Sequence, residues 1–309
     1  MREMADNWLF AEERLQIEVK AVADKIALMR AQGIEVKPWR LTQLEQYREL
    51  LAGARREAAR YSEYAVRIIT QEQLEYGWLA QQQAVQAIEG VSAGMVPAFA
   101  SLNPQAIEAT VGLLGDGTPL SLYFRATLPA ESVIGIQREL TVAIARGLNP
   151  VQTARAINRG FGVGFHRSVV IARTEQMRIY REVQQAQYQE ADFVIGYKRL
   201  AAHQDRTCLG CIVKDGQFYP VDQPIEDHPQ GRCTSVPVLR HFAVPGWETG
   251  QEWLAKQNPD VQEKIMGEGL HKLYASGQVP LSDMARHIEN KTFGGSWVPA
   301  RVSDLAPTH

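Results

Sequence analysis

Cysteine is scarce in this chain of 309 residues: there are three, and all of them lie between residues 208 and 233. An odd number of thiols in one short segment excludes a framework of disulfides and favours metal binding in a reducing compartment. Net charge is also nearly absent, since 33 Lys and Arg stand against 35 Asp and Glu. The molecule therefore lacks an overall field that would attract nucleic acid or an anionic membrane, and such a partner must be met by a local patch.

Long apolar runs are missing as well. The most apolar stretches, such as SAGMVPAFASL, are shorter than the roughly 20 residues that a membrane-spanning helix requires. No charged segment followed by an apolar one has the form of a signal peptide. We therefore expect a soluble protein that is made in the cytoplasm and has no membrane partner.

Helical periodicity dominates the N-terminal third of the chain. Steps of three and four residues form one apolar stripe at Leu44, Tyr47, Leu51, Ala54, Ala58, Tyr61, Ala65 and Ile68. The same spacing forms an earlier stripe at Leu15, Val19, Val22, Ile26 and Met29. GIEVKPW breaks the chain between the stripes, which predicts a long antiparallel helical hairpin. From residue 77 to residue 130 charge nearly vanishes, which indicates burial or contact with neighbouring subunits.

Charge is lopsided only in the middle of the chain. Between residues 146 and 181, Glu175 is the single acid beside seven arginines. Guanidinium groups pair bidentately with phosphate and carboxylate. Six arginines are therefore candidate contacts for DNA or an acidic partner: Arg146, Arg155, Arg159, Arg167, Arg178 and Arg181. The alternative is that they are solvated or paired within the fold. GFGVG in this region has no phosphate-loop context, and it predicts a flexible joint between two helices.

After residue 192 the pattern changes from helix to strand. FVIGYKRLA, DGQFYPV and RCTSVPVL predict a small β module over residues 193–240. Cys208 and Cys211 have the spacing of a metal knuckle, and His228 and Cys233 follow as a second pair. Three sulfurs and one nitrogen predict a closed, structural Zn²⁺ site, because no position remains for a catalytic water. The alternative is three free thiols and a surface histidine.

The order of these motifs resembles the phage head morphogenesis, or Mu F-like minor head, proteins of tailed bacteriophages. The resemblance depends on four stretches: IARTE at 171–175, DRTCLGC at 205–211, DGQFY at 215–219 and HPQGRCTSVP at 228–237. The family often has a cysteine where this chain has Gly231, so Cys233 takes the ligand role. The resemblance thus implies the same metal ligands as the spacing does.

The resemblance also implies a function. It implies a minor head protein in the virion, associated with the portal protein and other head proteins at the portal vertex, in several copies per virion. Such a protein acts in capsid assembly or in genome packaging and delivery, and it is not an enzyme. The remaining shared residues are expected to tie the preceding helix to the zinc module or to hydrogen-bond around the ligands: Arg173, Glu175, Asp205 and Arg206.

Two other functional classes stay open. EDHPQG is faintly similar to an HNH nuclease motif, which would require a further ligand such as His241 or Asn258. The arginine-rich middle is also compatible with a zinc-stabilised DNA-binding regulator.

The fold class expected is mainly α with a small zinc-stapled β module, which is an α+β arrangement. Three regions are predicted along the chain. They are a helical N-terminal region at 1–130, a head-morphogenesis core at 131–245 and a C-terminal segment of short helices at 246–309. In the last region Trp247, Trp253 and Trp297 are the expected core anchors.

Overall fold

The computed structural model describes residues 2–95, 98–243, 246–290 and 293–305. The chain forms two compact units, each built from separate stretches: unit 1 from Met1–Gln71 and Thr118–Ala172, and unit 2 from Glu72–Gly117 and Arg173–His309. These units differ from the three contiguous regions that the sequence predicts, because two long helices each continue from one unit into the other. Residue 245, the predicted end of the second region, lies outside the described residues.

Unit 1 is built from helices. Their bounds are α1 Arg2–Arg14, α2 Gln16–Ala31, α3 Pro38–Leu41, the first part of α4 Glu45–Ser92, α6 Leu120–Ala145 and the first part of α7 Pro150–Gln189. The predicted apolar stripe along α2 is entirely buried. The chain then reverses, so that Arg14 forms a salt bridge with Glu57 of α4 and Leu15 packs beside Gly53. These contacts confirm the helical hairpin.

Helices α6 and α7 approach each other closely within unit 1. A Cβ atom placed on Gly160 would lie 2.5 Å from the carbonyl oxygen of Gly135, and one placed on Gly135 would lie 2.1 Å from the carbonyl oxygen of Gly160. The predicted joint at GFGVG is therefore wrong, since α7 is continuous through it. The glycines let two backbones touch and do not bend the chain. Helix α6 begins at Leu120 and continues through Pro129.

Unit 2 holds the rest of α4 and α7 and a small sheet. Its first elements are α5 Pro104–Glu108, β1 Val194–Leu200, α8 Leu209–Lys214, β2 Phe218–Pro220 and β3 Thr234–Leu239. The strands form an antiparallel sheet in the order β2-β1-β3, which confirms the predicted β module. Ile88 of α4 and Tyr188 of α7 share a buried cluster with Tyr197 and Leu239 of the sheet. The ends of two long helices thus supply the core beneath the strands.

The C-terminal part of unit 2 is more varied than predicted. It contains α9 Gly250–Ala255, α10 Pro259–Met266, α11 Glu268–Ala275, a 3₁₀ turn at Leu281–Asp283, the hairpin of β4 Ala285–Asn290 and β5 Gly294–Pro299, and α12 Val302–Leu305. The short helices are confirmed, whereas the hairpin was not predicted. Its residues are mostly half-exposed or exposed, so they lack clear apolar alternation.

The three tryptophans are not fully buried. Trp253 packs against the cluster that contains Leu254 and Leu270, as a core anchor would. Trp297 lies beneath the Lys214 ammonium, 3.5 Å from the ring centroid, and Trp247 faces Lys198. These two rings therefore serve as cation contacts at the edge of the unit. Among the described residues, no helix is both long and apolar enough to cross a bilayer.

Candidate metal centre

The turns around the sheet bring all four predicted zinc ligands to one cavity of unit 2. Cys208 caps the start of α8 and Cys211 lies in its first turn, whereas His228 and Cys233 lie between β2 and β3. The ligand atoms of Cys208, Cys211 and His228 all lie within 4.8 Å of one another, as do those of Cys211, Asp227 and Cys233. Cys211 joins the two groups, and the predicted ligands line one cavity of about 150 Å³.

His228 is oriented toward the thiols by its own loop. Its Nδ1 donates a hydrogen bond to the backbone carbonyl of Pro229 at 3.0 Å. Nε2 lies 3.4 Å from Cys211 Sγ, so it is the ring nitrogen that faces the thiols and that would bind a metal after losing its proton.

The thiols and the imidazole are close enough to share protons. The hydrogen bond from Cys211 lowers the pKa of Cys208 to about 4, and a similar bond lowers the pKa of Cys233. The pKa of Cys211 is raised, first because its thiol proton is held by Cys208 and Cys233. The hydrogen bond with Cys208 raises the pKa of His228 to about 9. The thiolate of Cys208 is thus favoured at neutral pH, the pKa of Cys233 is shifted in the same direction, and thiolate is the sulfur form that ligates metals.

Buried charges surround these ligands. The Asp227 carboxylate is fully buried and binds Arg181 at 2.7 Å and Arg199 at 3.0 Å. Arg199 also points a guanidinium nitrogen at Cys211 Sγ, 3.6 Å away. The Asp227 carboxylate further accepts the backbone N–H of His228 at 2.9 Å, so its oxygens are already engaged. Asp227 therefore orients the site and is poorly placed to compete as a ligand.

The residues present fit a zinc ion. Sulfur and imidazole nitrogen are the donors that zinc prefers, and His228 Nε2 faces the three sulfurs. A divalent cation, three thiolates, one aspartate and the two arginines would together carry no net charge. This balance matters because burying an uncompensated charge costs several kcal/mol. Without the cation, full ionisation of the three cysteines would leave the cluster strongly negative.

Sequence reasoning missed Arg199 and gave Arg181 another role. Tyr197, Arg199 and Ala201 are all buried, so Arg199 occupies an inward position of strand β1. A charged residue on the buried face of a short strand is the signal that could have revealed it. Arg181 had no such signal, because its partner Asp227 is distant in sequence.

The other residues predicted to support the module divide into two groups. Arg173 donates to the Gln230 side chain at 3.2 Å, and the neighbouring Thr174 accepts the Gln230 backbone N–H at 3.0 Å. These contacts tie α7 to the loop that carries His228. Glu175 instead pairs with Arg178 on its own helix, and burial raises the pKa of Glu175.

Asp205 and Arg206 lie on the exposed side of the metal knuckle. Asp205 forms a salt bridge with Lys264, whereas Arg206 lines the cavity of the cysteines. The predicted salt bridge between helix and module is therefore made by Arg181 and Asp227. Neither Asp205 nor Glu175 takes part in it.

The six arginines predicted to contact DNA are placed differently from one another. Arg178 and Arg181 are largely buried and engaged in salt bridges, which leaves little of their guanidinium surface for a partner. Arg159 pairs with Glu139, and Arg167 binds the Tyr123 hydroxyl. Arg146 and Arg155 are exposed, and the described residues offer neither of them a salt bridge. The structure therefore does not bring the six together at one surface of either unit.

The Asp-Gly pair of DGQFY has a structural role. Asp215 is buried, and its carboxylate accepts the backbone N–H groups of Ala201 and Gly250 at 2.7 Å each. It also lies 2.9 Å from His203 Nε2. Gly216 follows with a φ of 76°, a conformation that favours glycine. The pair thus connects the end of β1 to the start of α9.

The nuclease alternative gains no geometric support. In the part of the chain that the structure describes, the metal-ligating groups around His228 and Asp227 contain no second histidine, and the residues that line the cavity of the cysteines include neither His241 nor Asn258. His241 and Asn258 are therefore not brought to this cavity. Asn258 instead caps α10 through its side chain.

Comparison with known proteins gives one finding. Residues 135–236 match the family model described as Phage Mu protein F like protein. The matched segment contains α7, strands β1 and β2 and all four predicted ligands, although it covers less than half of the chain. No curated protein and no solved structure matches the chain. The match confirms the resemblance carried by the motifs.

Proposed function

We propose that this chain is a structural component of the heads of tailed phages, because its residues 135–236 match the Mu F-like family. The family match is the observation that carries the proposal. The chain is made in the host cytoplasm and enters the virion during head assembly. It contacts the portal protein and other head proteins at the portal vertex, acts there in assembly or in genome packaging and delivery, and is not an enzyme.

A surface suited to another head protein lies on the N-terminal hairpin of unit 1. Leu9 and Phe10 of α1 are 60% and 58% exposed, and Ile17 of α2 is 83% exposed. Large apolar side chains on adjacent helices are typical of protein interfaces. We assign this face to the portal protein. The chain has almost no net charge, and an apolar contact does not depend on one.

A structural zinc ion completes the proposed head protein. Cys208, Cys211, His228 and Cys233 would hold it, and it would cross-link the start of α8 to the loop between β2 and β3. The sheet of unit 2 is small, and both connections between its three strands pass through these ligands. A bound metal therefore contributes folding energy that the strands alone do not supply.

The function is tested by head assembly. The tagged chain is co-expressed with the portal, scaffold and major capsid proteins encoded beside its gene, and particles are isolated by sedimentation. We expect the chain to sediment with portal-containing heads. A paired variant with Phe10→Ser and Ile17→Ser should fold normally but remain at the top of the gradient. Absence of the unmodified chain from portal-containing heads would contradict the proposal.

The zinc ion is tested separately on purified protein prepared without chelator. Metal analysis should find about one zinc per chain, the loading expected for a closed four-ligand site. Cys208→Ser should lose the metal and the near-ultraviolet signal of the β module while most helical signal remains. Zinc far below one per chain in the unmodified protein would refute the assignment, as would full retention of zinc by the variant.

A further inference from the structure

A second, larger cavity lies beside the metal centre within unit 2. Its volume is about 660 Å³, and it shares His228 and Arg206 with the cavity of the cysteines. Three arginines line it: Arg173, Arg206 and Arg232. No carboxylate is among its lining residues, which otherwise are Tyr76, Gln176, Met177, Pro229 and Gln230.

The guanidinium groups of these three arginines are not neutralised by salt bridges within the described part of the chain. All three side chains are exposed, and among the described residues none of them forms a salt bridge. The only hydrogen bond recorded for them in the described chain is the one from Arg173 to Gln230. The contrast with Arg178 and Arg181 is direct, since those two groups are already neutralised by buried acids. Unpaired arginines around a cavity without acids create a local positive potential, although the whole chain is nearly neutral.

The metal ligands position this arginine set. Arg206 precedes Cys208 by two residues, and Arg232 immediately precedes Cys233. Gln230 adopts a φ of 63°, which is uncommon for a residue other than glycine. Its side-chain oxygen accepts a hydrogen bond from Arg173, and its backbone N–H donates one to the Thr174 hydroxyl. Three separate chain segments thus converge on one cavity, and two of them are fixed by the predicted ligands.

We propose that this cavity binds the phosphodiester backbone of DNA. Arginine forks match phosphate oxygens bidentately, and three forks from different segments can grip successive phosphates of a strand. Tyr76 and Met177 line the same cavity and offer apolar surface to a sugar or a base. An acidic protein segment is a less suitable partner than DNA. Its carboxylates lie on flexible side chains, whereas the three arginines are grouped around one cavity. The inference rests on the proposed function, which brings the chain to packaged DNA, and it moves the DNA contact away from the six arginines predicted from sequence.

The test measures binding of the zinc-loaded full chain to a short fluorescent DNA duplex of random sequence. Binding should weaken steeply from about 50 to 200 mM salt. Arg206→Ala with Arg232→Ala should weaken binding about tenfold and make the slope of log K against log salt shallower by about 2, since two phosphate contacts are lost. Arg48→Ala with Arg55→Ala removes the same charge from the exposed face of α4 and should leave binding unchanged.

Three outcomes would overturn the proposal. The first is unchanged DNA binding in Arg206→Ala with Arg232→Ala, with zinc content and helical signal preserved. The second is a loss of DNA binding in Arg146→Ala with Arg155→Ala that equals or exceeds the loss in Arg206→Ala with Arg232→Ala. The third is tighter binding of a poly-glutamate peptide than of DNA, with the same dependence on Arg206 and Arg232. Incorporation into heads is measured separately for every variant. A failure of DNA binding would therefore overturn the DNA proposal without contradicting the proposed assembly function.

Discussion

At the scale of single residues, Asp227 holds the metal centre together. Its carboxylate is fully buried, yet it binds two arginines and the backbone of His228. Burial opposes ionisation of this group, but Arg181 and Arg199 outweigh that cost and lower its pKa. Gly231 belongs to the same arrangement, because a Cβ atom there would lie 2.1 Å from an Asp227 oxygen. The absence of a side chain at 231 therefore makes room for the buried acid.

Removal of Arg199 should destabilise the protein severely. Arg199→Leu places an apolar side chain on β1 and removes one of the two arginines that bind Asp227, together with the guanidinium beside Cys211 Sγ. Breaking a buried ion pair in this way costs about 3–5 kcal/mol in the free energy of unfolding. Urea denaturation of the zinc-loaded protein measures the loss. Arg240→Ala, an exposed arginine just after β3, is the control and should change stability by less than about 0.5 kcal/mol. Equal stability of the two variants would contradict this account.

The cluster of three thiols and one imidazole could be predicted at this scale, but the charges that support it could not. Cys208 and Cys211 reveal themselves through short spacing, and His228 and Cys233 through the scarcity of cysteine elsewhere. Arg181 lies on a helix 46 residues before its partner Asp227. A pairing across that distance depends on how α7 packs against the sheet, and local sequence carries no record of it.

At the scale of elements, the crossing of α6 and α7 corrects the prediction most clearly. Glycine inside a helical pattern serves either as a hinge or as a point of close backbone approach, and sequence alone does not distinguish them. Gly135 and Gly160 take the second role, whereas Gly162 has only the Glu12 carboxylate nearby, at 3.9 Å from an added Cβ. One turn of α7 thus holds two glycines with opposite requirements.

Alanine substitution should separate these two glycines. Gly160→Ala forces the α6 and α7 backbones apart and should destabilise unit 1 by about 1–3 kcal/mol or more. Gly162→Ala adds a methyl group in open space on a helix and should stabilise the protein by up to about 1 kcal/mol. Thermal unfolding followed by circular dichroism gives both values. Destabilisation of similar size in both variants would show that α7 tolerates alanine at neither position. The close crossing of α6 and α7 would then not be the cause.

Regular elements were predictable where one face is buried and the other is not. The stripes of α2 and α4 and the three strands of the β module meet that condition, and they were found from periodicity. The β4–β5 hairpin does not meet it, because its residues are half-exposed on both faces. Periodicity therefore failed where packing is shallow.

At the scale of the whole molecule, the two compact units are interleaved along the chain. The segment matched by the family model takes residues from both of them. It contains β1, β2 and the first half of β3 but lacks residues 72–117, which include Ala84 and Ile88 of the buried cluster beneath the strands. Residues 135–236 are therefore a unit of sequence similarity without being a unit of folding.

A fragment of residues 135–236 should consequently fail to fold, even with zinc. Its strands would leave apolar side chains such as Tyr197 and Tyr219 without their partners from α4. We expect partial helix, poor dispersion in the proton NMR spectrum and no cooperative thermal transition, in contrast to the full chain. A sharp unfolding transition in the isolated fragment would show that the sheet and α7 suffice for stability.

The interleaving also governs how the protein is made. As the ribosome releases the chain from its N-terminus, residues 72–117 emerge long before Arg173 and the sheet that complete their unit, and unit 1 itself waits for residues 118–172. For much of synthesis the apolar side chains in the last part of α4, such as Ala84 and Ile88, lack the sheet residues that cover them. A truncated chain would therefore expose these side chains to chaperones and proteases, which would remove defective copies.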